Sequence, residues 1–136
     1  MCLDKISRVC IAKEDIVVYK HVMKRKDGYV SSYRKKEVKF NELLTSDIQI
    51  VRKSDVRIIE RALHSFVNLS DARLEAEHWK EVLVKCVIPK GSRYHKGEFE
   101  GIYTVDSLAS NQLIYTEVIE DYTEGIIRMY VNDYLR

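Results

Sequence analysis

The sequence predicts an α+β fold: one domain over residues 1–136, with an antiparallel or mixed β-sheet, one internal helix and a C-terminal helix. Three observations predict it. Short runs rich in β-branched residues recur along the chain. A stretch from Ser70 to Glu81 holds strong helix formers and neither Gly nor Pro. Near the C-terminus, Tyr122, Ile126, Tyr130 and Tyr134 repeat every four residues, which is a helical stripe.

The first clear element is Asp15 to Met23, where Ile16, Val17, Val18 and Tyr19 favour a strand. Lys26-Asp27-Gly28 is a turn signal, because Asp-Gly reaches positive φ cheaply. Tyr29 to Tyr33 and Glu37 to Phe40 are expected as short strands around it. Leu43-Leu44 is ambiguous, and Ile48 to Val51 and Val56 to Ile59 read as short extended pieces near the core. Ser70 can cap the internal helix and Asp71 suits its positive end. Glu81 to Ile88 reads as a buried central strand containing Cys86, and Pro89-Lys90-Gly91-Ser92 ends it, since Pro cannot donate to a ladder. Gln112 to Ile119 is a further strand, with Leu113, Tyr115 and Glu117 on one face by alternation. Gly125 weakens the C-terminal stripe.

Composition fits one globular domain. There are 23 Lys+Arg against 21 Asp+Glu, with 46% apolar and 32% charged residues, so collagen-like and grossly disordered chains are excluded. No run of about 18 apolar residues exists, so no membrane span is expected. The N-terminus lacks a basic start followed by an apolar stretch, so no secretory signal is expected. Three cysteines without a C-x-x-C pair point to reduced thiols in the cytoplasm. His and Cys show no metal-ligand spacing and no P-loop order is present, so neither a metal nor a cofactor is expected.

The net charge of +2 conceals an uneven distribution. From Lys20 to Lys39 there are eight basic residues and two acids; from Glu98 to Glu124 there are seven acids and no Lys or Arg. Lys24, Arg25, Lys26, Arg34, Lys35 and Lys36, interleaved with Tyr29 and Tyr33, could follow a phosphate backbone while the rings stack on bases. The alternative is a solvated strand edge where Lys blocks unwanted pairing.

Other candidates are fewer. His64 and Ser65 precede the internal helix, but adjacent strand residues point to opposite faces, so His64 does not easily activate Ser65. Pro89 to Phe99 looks like a loop over a cleft; Lys90, Ser92, Tyr94 and Glu98, together with Tyr19, are its candidate ligand contacts. Glu117 is the candidate inward carboxylate. The tyrosine stripe would dock on the sheet, or on a protein partner or second copy.

Several segments in order carry a resemblance: Val18-Tyr19-Lys20, Leu63-His64-Ser65-Phe66, and Ile88-Pro89-Lys90-Gly91-Ser92 with Tyr94 and Gly97-Glu98-Phe99. Together they resemble a small family of uncharacterised bacterial and phage proteins. The resemblance implies a single cytoplasmic domain and no particular activity. Where that family carries Ser-Pro-Tyr, this chain has Ser31-Ser32-Tyr33. A looser similarity is to the ADP-ribosyltransferase fold, whose early cation or Tyr, middle small-residue strand and late catalytic Glu correspond in order to Tyr19-Lys20, His64-Ser65 and Glu117. The Ser-Thr-Ser signature of that fold is absent here, and Tyr115-Thr116-Glu117 does not carry its Gln/Glu-x-Glu signature. That similarity implies NAD-dependent transfer in a cleft where these residues converge. The leading expectation is a non-enzymatic binding or interaction module; the enzyme and a nucleic-acid-binding protein are the alternatives.

Overall fold

Val82 to Ile88 forms an inner strand of the sheet, as an apolar run broken only by Lys85 should. The computed structural model describes residue 3 and residues 5–124; the expected C-terminal helix lies outside the described residues apart from Tyr122. The elements are β1 (Cys10–Ile11), β2 (Ile16–Arg25), β3 (Gly28–Ser31), β4 (Leu43–Thr45), β5 (Gln49–Lys53), β6 (Val56–Arg61), β7 (Leu63–Phe66), α1 (Leu69–Trp79), β8 (Val82–Ile88), β9 (Arg93–Glu100), β10 (Thr104–Ser110) and β11 (Gln112–Asp121). One sheet runs β1-β9-β10-β7-β2-β8-β11-β4, with β3 attached to β2; β5 and β6 form a separate hairpin. The ladders are antiparallel. The fold is therefore one small, mostly antiparallel β domain with one described helix, richer in strand than the α+β expectation.

Both faces of β8 are covered. Leu83 packs with Phe66, Ala72 and Ala76 beneath α1. Val82, Val84, Cys86 and Ile88 pack on the other face with Val18, Val22 and Val38. Each buried Val, Leu, Ile or Phe among them contributes roughly 1.5–3 kcal/mol by leaving water. Helix α1 starts one residue earlier than Ser70, with Asn68 rather than Ser70 at the cap position. It ends at Lys80, whose left-handed φ of 55° lets its N–H reach the Ala76 and Glu77 carbonyls. The chain then turns straight into β8.

The Asp-Gly signal is a two-residue hairpin turn: Arg25 pairs with Gly28, whose φ is +146°. Residues 90–92 turn as expected, with Gly91 at φ +90°. The segment after this turn is a strand and not a loop over a cleft. Arg93 onward is β9, zipped to β10 over its length and to β1 at Arg93 and Tyr94. β11 carries a bulge at Thr116: Tyr115 pairs with Cys86 but Glu117 pairs with the next residue, Lys85. One extra residue reverses the alternation, so Glu117 turns to the face opposite Tyr115.

Candidate functional site

The edge of β2 away from β8 is shared by two strands. Tyr19 pairs with Lys85 on one side and Phe66 of β7 on the other; Val22 pairs with Val82 and with Ser31 of β3. Lys20 and His21 stand between β7 and β3, where neither strand reaches. A cavity of about 460 Å³ fills this break. That lies in the range of about 300–1,000 Å³ usual for ligand sites.

Its wall gathers residues distant in sequence. Lys20 and His21 come from β2, His64 and Ser65 from β7, and Tyr33, Arg34, Lys36 and Glu37 from the loop after β3. The loop is tightly made. Lys35 sits at φ +56° and its N–H donates to the Ser31 carbonyl at 3.0 Å. The Lys36 N–H donates to Ser31 Oγ at 3.0 Å, and the Ser31 N–H to the Lys36 carbonyl at 2.7 Å. Such a loop loses little freedom on meeting a ligand.

His21 is the best-oriented polar group in the wall. Its Nδ1 lies 2.6 Å from Glu81 Oε1, and its ring stacks on Phe66 with centroids 5.8 Å apart. The Ser32 hydroxyl has one proton to donate and three acceptors in reach: Glu81 Oε1 at 3.0 Å, Glu81 Oε2 at 3.1 Å and the His21 carbonyl at 2.9 Å. Burial would raise the Glu81 carboxyl. The hydrogen bond and charge of His21, the Ser32 bond and the Lys35 charge outweigh it and hold the carboxyl below its usual range. An ionised Glu81 can only accept, so Nδ1 carries the proton and Nε2 faces away from the carboxylate. Glu81 and Ser32 thus position His21 rather than form a serine nucleophile, since the hydroxyl lies beside the same nitrogen as the carboxylate.

His64 behaves oppositely. Burial, reinforced by the Lys20 charge, lowers it to about 3, so it is neutral at pH 7. Its Nε2 and Ser65 Oγ are buried polar atoms without a hydrogen-bond partner among the described residues. Lys20, Arg34 and Lys36 take part in none of the ion pairs among the described residues. Two of the three acids at the cavity are engaged: Asp47 with Arg61 at 3.8 Å and Glu60 with Lys53 at 3.2 Å.

The expected site residues divide. His64, Ser65, Arg34 and Lys36 meet at the cavity. Tyr19 does not line it; it packs with Phe66 and Leu83. The bulge turns Glu117 to an exposed position 3.8 Å from Lys85 and outside the cavity lining, so it does not converge with His64 and Ser65 as the transferase similarity required. The Pro89–Phe99 candidates are spread over the far end of the sheet. Ser92 is fully buried and donates to the Pro89 carbonyl, Tyr94 packs on the core, Glu98 pairs with Lys5 at 3.7 Å, and the Lys90 side chain is exposed. The basic segment also splits. Lys24, Arg25 and Lys26 lie at the hairpin tip, where Lys24 pairs with Asp121 at 3.0 Å, and exposed Lys35 bonds Met23 and Ser32 beside the loop.

Sequence reasoning missed His21, Ser32 and Glu81. The adjacency of His21 to Lys20 was visible, but Glu81 stands 60 residues away and nothing local announces it. Among the described residues no helix is long and apolar enough to cross a membrane, and no cluster of His, Cys, Asp and Glu could hold a metal. Comparison of the chain with protein-family models, curated proteins and solved structures returns no match.

Proposed function

We propose that this protein is a small binding module whose site is the cavity between β2, β3 and β7, and that its ligand is an anion. One observation carries this: Lys20, Arg34 and Lys36 surround the cavity and neutralise no carboxylate among the described residues. Lys20 is half-buried, and a charge taken partly out of water gains most from a partner. The loop that presents Arg34 and Lys36 is held in place before any ligand arrives. Free thiols at Cys10 and Cys86 support a reducing, cytoplasmic setting.

The test is a titration of the ¹⁵N-labelled protein with inorganic phosphate at low salt and again in high salt. Amides of residues 20–21, 31–37 and 63–65 are expected to shift, with the response screened by salt and lost in Lys20→Met. Shifts confined to the Lys24–Lys26 hairpin tip would move the anion site there and defeat the proposal.

A further inference from the structure

The cavity presents more than charge. Tyr33 lines it with 75% of its surface exposed. It precedes Arg34 in the pinned loop, so an exposed aromatic face and a guanidinium leave the same turn. We infer that the ligand is a nucleoside monophosphate, its base stacked on Tyr33 and its phosphate held by Lys20 and Arg34. This rests on the proposal that the cavity takes an anion.

Charge limits the phosphate to one. Of the charges lining the cavity, Asp47 is paired with Arg61 and Glu60 with Lys53, which leaves Lys20, Arg34 and Lys36 against Glu37, a formal balance of 3 − 1 = +2. A monophosphate brings about −1.5 to −2 at pH 7, which this balance meets; a triphosphate brings more, and Glu37 would repel its outer groups. Lys20 and Arg34 both line the cavity, one from β2 and one from the loop after β3. The remaining wall suits a sugar and base better than more phosphate. Glu37 makes no ion pair among the described residues and, ionised, can only accept hydrogen bonds, as from ribose hydroxyls or an exocyclic amine. His21, held at Nδ1 by Glu81, leaves Nε2 as a further hydrogen-bonding group for a hydroxyl. Tyr33 stacks without reading the base, so discrimination between bases is expected to be small.

Calorimetric titration of the full chain at low salt tests this with AMP, ribose 5-phosphate, adenosine, ATP and a short single-stranded oligonucleotide. AMP should bind about fivefold or more tightly than ribose 5-phosphate, the gain expected from one stacked base. Tyr33→Ala should erase that difference and Tyr33→Phe should keep it. Lys20→Met should weaken both phosphate compounds, adenosine should bind more weakly than AMP, and ATP should bind no tighter than AMP. Far-UV circular dichroism verifies that the variants remain folded. Equal affinity for AMP and ribose 5-phosphate, or an unchanged AMP affinity in Tyr33→Ala, overturns the nucleotide while the anion site stands. ATP or the oligonucleotide binding more tightly than AMP overturns the single free nucleotide. No binding of either phosphate compound overturns the anion site as well.

Discussion

Acidification should unfold this protein partly through one histidine. In an unfolded chain His64 takes up its proton near 6.5; in the fold, burial and the Lys20 charge hold it to about 3. Above about pH 6.5 both states are neutral at this site and it adds no pH dependence. As pH falls below that value the unfolded chain binds a proton that the native state refuses, and stability drops until the folded value near 3 is passed. At pH 5 the unfolded ring lies about 1.5 units below its midpoint, which corresponds to roughly 2 kcal/mol of lost stability at about 1.4 kcal/mol per unit. Urea unfolding followed by far-UV circular dichroism at pH 7 and pH 5 reads this directly. Wild type should lose about 2 kcal/mol more than His64→Gln over that interval, or about 1 M in midpoint. The other histidines and the carboxylates are common to both proteins, so they cancel in the difference. The His64 ring proton in an NMR titration gives an independent check and should stay flat from pH 8 to pH 5. Parallel stability losses in the two proteins, or a ring that titrates near pH 6.5, would refute the buried neutral histidine.

Packing gives three further outcomes. Gly101→Ala would drive a Cβ into Glu75 Oε1, on a buried carboxylate that accepts from Ile102 N at 2.8 Å and Trp79 Nε1 at 3.2 Å. Losing those bonds should cost about 1–3 kcal/mol and lower Tm by several degrees, whereas an unchanged Tm would show that Glu75 is not needed there. Cys86, pushed up to about 12 by burial despite the Lys20 charge, should resist a thiol reagent at pH 8 until the chain unfolds. Peptide mapping should find the half-buried Cys10 labelled before Cys86; equal rates for these two would contradict the burial. Leu83→Ala empties a fully buried position under α1 and should cost about 2–5 kcal/mol in urea unfolding, with a loss below about 1 kcal/mol arguing against that packing.

Local chemistry made several elements legible. Val82 to Ile88 had to be a buried strand because its apolar run is short, mostly β-branched and closed by Pro89. Asp27-Gly28 had to turn because Gly28 tolerates its φ, and Ala72 to Trp79 had to be helical because nothing in it breaks a helix. The basic run was legible as charge but not as a site, since β-hairpin geometry sends Lys24 to Lys26 to a tip and Arg34 and Lys36 to a cavity.

The sequence by itself therefore determined β2, the Asp27-Gly28 turn, α1, β8 and most of β11, because those depend on neighbours within a few residues, whereas β1, β9 and β10 were not legible in it. Tertiary structure decided the rest. A bulge at Thr116 turned Glu117 outward, since pairing with β8 overrides the alternation of β11 alone. The break between β7 and β3 on one edge of β2 created the cavity, and chain return after α1 brought Glu81 to His21 across 60 residues. Register and strand order are properties of the whole sheet, and the cavity's chemistry depends on them.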